Sequence, residues 1–127
     1  MVKVKRAIWG SWVDEVDAEI KTLVKEWIKR HNYEIDEFRA EARFKEKFYT
    51  GIGFGLNVYQ SPRDFGKYMG VGVNAHDSPP EIYISILVKY EPMSEAAVEL
   101  AQQLEDLLNQ RVPEKIRVRE VQVILDY

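Results

Sequence analysis

Two segments in the middle of the chain, Gly53-Phe54-Gly55-Leu56-Asn57 and Gly70-Val71-Gly72-Val73-Asn74, repeat the pattern Gly-apolar-Gly-apolar-Asn. Because the side chains of a β-strand point alternately to opposite faces, each segment predicts a strand with one apolar face and one nearly bare face. Glycine weakens the interior of a strand, so a repeated pair indicates a bend or the close approach of another group to the backbone. We therefore interpret Gly53, Gly55, Gly70 and Gly72 as positions of close approach for a ligand or a second subunit.

Alternating apolar rows extend outward from these two segments. One row runs from Ile52 to Val58, a second from Met69 to Ala75 and a third from Ile82 to Val88, with turn-forming residues between them. Val2 to Trp9 predicts a further strand near a sheet edge, and Ile116 to Leu125 predicts a last strand. The rows predict an antiparallel meander of strands.

Two other segments carry apolar residues at helical spacing. The first predicts a helix that ends near Arg30, where the following Asn32 suits the left-handed conformation beyond a helix end. The second begins at Ser94 and runs to about Gln110. The chain is thus predicted to be one α+β domain over residues 1–127, an antiparallel meander sheet of four or more strands with two helices packed on one face. Its predicted order is β-α-β-β-β-β-α-β.

The segment from Glu37 to Tyr49 fits two structures. As a strand, it places Phe38, Phe44 and Phe48 on one face and its basic residues on the other. As a helix, it aligns apolar residues at four-residue spacing and is rich in good helix formers. We favour the strand, because the alternation leads directly into Thr50-Gly51 and the next strand, as in a hairpin.

Composition limits the classes of protein to which the chain can belong. It has 127 residues with 46% hydrophobic residues, which suits one folded, soluble domain. No apolar run is long enough for a membrane helix, and the N-terminus lacks the features of a secretory signal, so we expect no membrane partner and a cytoplasmic location. The absence of cysteine excludes disulfides and thiol chemistry, and the abundance of Lys and Glu favours a heat-adapted organism.

The face opposite the apolar rows combines basic, aromatic and amide side chains with the four glycines. Single-stranded nucleic acid is bound by aromatic platforms for the bases and a positive track for the phosphates. Because the net charge is −3, such a track must be local. The predicted nucleic-acid-binding residues are Arg39, Arg43, Lys45, Lys47, Tyr49, Asn57, Tyr59, Tyr68, Asn74 and Tyr83.

Two other interpretations fit the same residues. Alternating charges are common on the solvated side of a strand, and the glycines can permit sheet curvature. The face can also belong to a small-molecule binding or structural domain that dimerises through it, since tyrosine and arginine are enriched at interfaces. We expect homo-oligomerisation both for a nucleic-acid-binding domain and for a domain that dimerises through this face.

A catalytic or metal site has weak support in the sequence. His76 and Asp77, with Glu81 nearby, form the single acid–base constellation, but the chain has two histidines and metal sites need three or four ligands. Neither glycine pair opens a helix as a phosphate loop does. We expect no enzymatic activity, no metal and no cofactor.

The size, the heat-adapted composition and the meander with an aromatic and basic face resemble the DNA-binding domain of the archaeal ThermoDBP-related proteins. The resemblance covers the general organisation of most of the chain. It implies single-stranded DNA as the ligand, no enzymatic activity and assembly into oligomers.

Overall fold

A mixed β-sheet lies at the centre of the molecule. The computed structural model describes residues 2, 12–44, 47–48, 51–61, 63–77, 80–114 and 116–127. The described strands are β1 (Glu34–Ile35), β2 (Lys47–Phe48), β3 (Gly51–Tyr59), β4 (Tyr68–Asp77), β5 (Pro80–Val88) and β6 (Arg117–Leu125). They lie in the order β1-β3-β4-β5-β6, and β2 pairs with the start of β3. The described helices are α1 (Trp12–His31), α2 (Glu37–Phe44) and α3 (Ser94–Arg111), with a short 3₁₀ helix at Glu91–Met93.

The meander predicted from the glycine segments is confirmed in β3, β4 and β5. These strands pair antiparallel, with Gly55 opposite Gly72 and Val73 opposite Ile84. Their apolar rows are buried on one face, as alternation requires, and complete burial of an aliphatic side chain contributes about 1.5–3 kcal/mol. The α+β class is therefore confirmed.

Helices α1 and α3 cover this apolar face. Trp27 of α1 is fully buried, and its indole Nε1 donates a hydrogen bond to the carbonyl oxygen of Ala96 in α3 at 3.1 Å. Asn32 follows α1 with a φ of 57°, the left-handed conformation expected there. Among the described helices, none is long and apolar enough to cross a lipid bilayer.

Strand β6 pairs parallel to β5, so the purely antiparallel sheet predicted from the sequence is wrong at this edge. The reason is the connection: α3 returns the chain to the starting end of β5, and a helical crossover joins parallel strands. The register shifts between Ile82 and Tyr83 of β5, opposite a bulge at Arg119. The strand predicted for Val2 to Trp9 falls almost wholly outside the described residues.

The strand predicted over Glu37 to Tyr49 is also wrong, because residues 37–44 form helix α2. Asp36 caps this helix by accepting the backbone N–H of Arg39 at 3.3 Å. Ala40 and Phe44, four residues apart, are buried on its inner side. Among the described residues of this segment, only β2 is a strand, and it pairs antiparallel with the start of β3 as the predicted hairpin would.

A further interaction between α1 and α3 gives a test of helix packing. Glu99 of α3 accepts a hydrogen bond from Arg30 and contacts His31 Nε2 at 2.8 Å, both on α1. The hydrogen bond from His31, assisted by Arg30, lowers the pKa of Glu99 below its ordinary value of 4.5. The stability that depends on this carboxylate is therefore present above the ordinary pKa and is lost as pH falls through the lower folded-state pKa.

We expect Glu99→Gln to lower the free energy of unfolding by about 0.2–1 kcal/mol at pH 7, the range of exposed ion pairs. The difference from wild type should shrink as pH falls below 4.5, which urea unfolding at several pH values would measure. Glu105→Gln on the same helix is the matched control. Equal losses in the two variants, or a Glu99→Gln effect that persists in acid, would contradict the expectation.

Candidate functional site

The face of the sheet opposite α1 and α3 carries a shallow groove. We call this face of β3, β4 and β5 the glycine face, because Gly55, Gly70 and Gly72 lie at its centre. The groove has a volume of about 480 Å³. It is lined by Asp36, Arg39, Arg43, Gly55, Leu56, Asn57, Tyr59, Gly70, Val71, Gly72, Ser85 and Leu87.

The floor of the groove is bare because three glycines are neighbours in the sheet. Gly55 pairs with Gly72, and Asn57 pairs with Gly70. A Cβ atom on Gly55 would lie 4.0 Å from the nearest atom, and one on Gly72 would lie 3.7 Å from the carbonyl oxygen of Ser85. Both are ordinary contact distances, and no described glycine has a positive φ. Neither backbone conformation nor packing therefore requires glycine at positions 55 and 72.

Helix α2 forms one wall of the groove and supplies its positive charge. Phe44 stacks on Phe54 of the core with 5.2 Å between ring centroids, and Glu41 contacts Lys21 and Lys25 of α1 at 3.4 and 3.3 Å. These contacts hold the inner side of α2 against the helical layer. Another side of the helix then presents Arg39 and Arg43, four residues apart, to the groove.

The charge at this wall is partly balanced by the residue that caps the helix. Asp36 Oδ2 lies 3.5 Å from Arg39 Nε, and the Arg39 side chain is 80% exposed. Exposed pairs of this kind contribute little to stability and exchange partners readily. Among the described residues that line the groove, two guanidinium groups and one carboxylate give this wall a net positive charge.

An aromatic cluster lies at one end of the glycine face. Tyr59 pairs with Tyr68 across the sheet, and their ring centroids are 6.0 Å apart. Phe65, from the loop between β3 and β4, contacts Tyr59 edge-on at 5.6 Å and is 70% exposed. The side chain of Asp64 shapes this loop by accepting the Gly66 N–H at 3.1 Å. The cluster thus offers exposed ring surface beside the groove.

The opposite end of the face carries charges of both signs, because Arg119 Nε lies 3.9 Å from Glu81 Oε1. Tyr83 donates its hydroxyl to Glu81 Oε2 at 2.6 Å, and this hydrogen bond raises the pKa of Tyr83 above its ordinary value. Glu120 of β6 pairs with Tyr83 in the sheet. Tyr83 of β5 pairs with Asn74 of β4, and Tyr59 pairs with Tyr68 of β4. Because Asn74 and Tyr68 are six residues apart on β4, Tyr83 and the aromatic cluster are separated by about 20 Å along the strands. An anionic ligand is favoured at the α2 side of the groove by the charges of Arg39 and Arg43.

The structure brings together part of the residue set predicted from the sequence. Asn57, Tyr59 and the glycines at 55, 70 and 72 line the groove as expected. Tyr68 belongs to the aromatic cluster, whereas Asn74 and Tyr83 pair with each other at the opposite end of the face and Gly53 is buried opposite Asn74.

The predicted basic strand is wrong as a structure. Arg39 and Arg43 reach the groove from helix α2 beside the sheet. Lys45 and Tyr49 lie outside the described residues, and Lys47 is described only by its place in β2.

Six residues at or beside the groove were not among the predicted site residues: Asp36, Leu56, Phe65, Val71, Ser85 and Leu87. Phe65 carried the clearest signal, an aromatic residue within a loop otherwise made of turn-forming residues. Asp36 becomes relevant only once α2 is known to be a helix. Strand alternation in β5 predicts that Ser85 and Leu87 lie on the glycine face, because the neighbouring isoleucines are buried on the opposite face.

The constellation considered for acid–base chemistry lies at the β4–β5 turn. His76 pairs with Glu81 in the sheet register and Asp77 with Pro80, but the side chains of His76 and Asp77 are outside the described part of the structure. Glu81 accepts the Tyr83 hydroxyl. Among the side chains that the structure describes, no three His, Asp or Glu residues are placed to hold a metal ion.

Comparison with known proteins gives no relative for this chain: no family model, no curated protein and no solved structure matches it.

We expect Gly72→Ala to leave the fold intact and to raise the free energy of unfolding by up to about 0.5–1 kcal/mol, the ordinary advantage of alanine over glycine within a strand. The added Cβ has room on the glycine face. Thermal unfolding would measure the change. Ile84→Ala, on the buried face of the same sheet, is the control and should cost about 2–5 kcal/mol. A clear loss of stability in Gly72→Ala would show that the fold itself requires this glycine.

Proposed function

We propose that the glycine face binds single-stranded nucleic acid, with DNA favoured over RNA, and that the protein acts as a binding protein rather than an enzyme. One observation carries the proposal: a groove with a bare glycine floor is bordered by two arginines on one side and lies beside an exposed aromatic cluster. Single-strand-binding surfaces combine these two elements, a positive track and stacking platforms.

The arginines supply the contacts to phosphate. Arg39 and Arg43 are separated by four residues of helix, which places them about 6 Å apart along the helix axis. Guanidinium groups bind phosphate oxygens through paired hydrogen bonds, and each phosphate that is neutralised releases counterions into solution. Two neighbouring phosphates of one strand can therefore contact α2.

The aromatic cluster supplies the contacts to bases. Phe65 is largely exposed, and Tyr59 both lines the groove and contacts the Phe65 ring. Stacking of a base on such a ring contributes about 1–3 kcal/mol and tolerates any base. The bare floor at Gly55 and Gly72 lets a ribose or base lie close to the sheet, and Asn57 offers amide hydrogen bonds.

A small-molecule ligand is the second candidate, and the size of the groove supports it. A volume of about 480 Å³ lies within the range of small-molecule sites, about 300–1,000 Å³. The same arginines and rings suit an anionic aromatic molecule such as a mononucleotide. If one nucleotide fills the site, an oligonucleotide binds no more tightly than a mononucleotide. A competition experiment between the two ligands therefore distinguishes the two candidates.

A cytoplasmic location, an origin in a heat-adapted archaeon and the resemblance to the ThermoDBP-related proteins remain predictions from the sequence. The proposal of nucleic-acid binding is supported by the residues of the groove and the aromatic cluster.

We expect a fluorescent oligonucleotide of about 12 nucleotides, within the site sizes of single-strand-binding domains, to bind in an anisotropy titration. Affinity should fall between about 50 mM and about 200 mM salt, because phosphate contacts release counterions. Arg39→Ala and Arg43→Ala should each weaken binding and reduce the logarithmic salt slope by about 1.

Arg30→Ala is the matched control, because Arg30 lies on α1 behind the sheet and its loss removes the same charge. If Arg30→Ala weakens binding as much as Arg39→Ala, the effect is one of net charge rather than of the groove. Absence of binding at low salt would overturn the proposal.

We also expect Phe65→Ala to weaken oligonucleotide binding by about 5-fold to 150-fold, the range of one stacked base, with little change in the salt slope. Fold stability should be unaffected, since this ring is 70% exposed. Phe38→Ala is the control, because Phe38 is a second exposed phenylalanine, on α2, that does not line the groove. A Phe65→Ala variant that binds like wild type would remove the aromatic cluster from the site.

A further inference from the structure

The two glycine segments are related by a local two-fold axis perpendicular to the sheet. Each asparagine lies opposite the first glycine of the other segment, and the two middle glycines lie opposite each other. The paired residues are Gly53 and Asn74, Gly55 and Gly72, and Asn57 and Gly70. The repeat in the sequence therefore becomes a symmetric floor, which has the two middle glycines at its centre and one asparagine towards each end.

The side-chain amides of both asparagines lie against this floor. A Cβ atom on Gly70 would lie 3.4 Å from Asn57 Oδ1, and one on Gly72 would lie 3.8 Å from Asn74 Nδ2. Both asparagines are exposed to solvent. Because a carboxamide carries both a hydrogen-bond acceptor and donors, each amide can bond to a complementary edge of a ligand. Glycine at position 70 thus keeps clear the space into which the Asn57 amide extends.

A planar ring that lies on the two middle glycines is within reach of both amides. Asn57 and Asn74 are each two residues from the centre of the floor, about 7 Å along their strands. Arg39 and Arg43 line the same groove from α2. A phosphate held by these guanidinium groups can therefore leave its base over the floor. The groove thus has separate places for the phosphate and the base of one nucleotide.

Purines and pyrimidines differ in how their hydrogen-bonding atoms are distributed around the ring. A purine carries N7 and the 6-substituent on one edge and N3 on the opposite edge. A pyrimidine carries such atoms at O2, N3 and the 4-substituent, and each of them lies across the ring from a C–H group or the sugar. Two amides on opposite sides of the floor can therefore both bond to a purine, whereas a pyrimidine leaves one amide without a partner.

We propose that the floor of the groove binds a purine base between the carboxamides of Asn57 and Asn74, which gives the groove a preference for purine over pyrimidine nucleotides. This preference rests on the function proposed for the glycine face, and it applies to an oligonucleotide and a mononucleotide alike. The repeated Gly-apolar-Gly-apolar-Asn pattern then has a single role, because the middle glycines support the ring and the asparagines bind its edges.

Displacement of a fluorescent oligonucleotide from the full chain by unlabelled deoxyadenosine and deoxythymidine oligomers of about 12 nucleotides measures the ratio of their affinities. The free oligomers are the same for every variant, so a change in this ratio reports a change in the groove. We expect Asn57→Ala and Asn74→Ala each to lower the adenine-to-thymine ratio by about 5-fold, the effect of one hydrogen bond. Gly70→Ala should also lower the ratio by displacing the Asn57 amide, and should have no further effect in the Asn57→Ala background.

Asn109→Ala is the matched control, because it makes the same substitution on α3 behind the sheet and should leave the ratio unchanged. Thermal unfolding verifies that each variant is folded. Phe65→Ala should weaken the binding of both oligomers alike, since stacking tolerates any base. Binding with a ratio that neither or only one of the asparagine variants lowers overturns the purine proposal alone. Absence of binding by both oligomers at low salt overturns the proposed function, and the purine preference with it.

Discussion

The burial of one face of β3, β4 and β5 beneath α1 and α3 is the constraint on which the rest of the structure depends. The pleat of a strand sends alternate side chains to opposite faces, so burial of the isoleucine and valine rows fixes the register of all three strands. The same alternation assigns the glycines, Asn57 and Tyr59 to the other face. Trp27 links the two helices by its hydrogen bond to Ala96 and holds the layer together.

Helix α2 shows how a local pattern is decided by contacts distant in sequence. The segment Glu37 to Tyr49 alternates well enough to predict a strand, and its apolar residues also recur every four positions. Packing of Phe44 on Phe54 and the ion pairs of Glu41 with Lys21 and Lys25 select the helix over residues 37–44. The sequence placed Arg39, Arg43, Lys45 and Lys47 together on one strand, whereas the structure presents Arg39 and Arg43 to the groove from helix α2.

Charge is distributed unevenly over the glycine face. Arg39 and Arg43 make the α2 side positive, whereas the far end carries Glu81 and Glu120 around Tyr83 together with Arg119, which lies 3.9 Å from Glu81. A protein of net charge −3 can therefore present a local anion site, since the short range of screened electrostatics lets nearby charges dominate. The two ends of the face differ in chemistry, and the aromatic cluster lies at the end away from Glu81 and Glu120.

The sequence by itself determined strands β3 to β6, helices α1 and α3, and the bare face of the sheet. These features follow from strand and helix periodicities, which are local properties of the chain. Only the tertiary structure decided that α2 is a helix, that β6 is parallel to β5, and that Phe65 joins Tyr59 and Tyr68. Each of these depends on pairs of residues that are distant in sequence or lie in loops. The parallel pairing and the aromatic cluster leave no periodic signature in the chain, and in α2, where the strand and helix periodicities compete, packing decides between them.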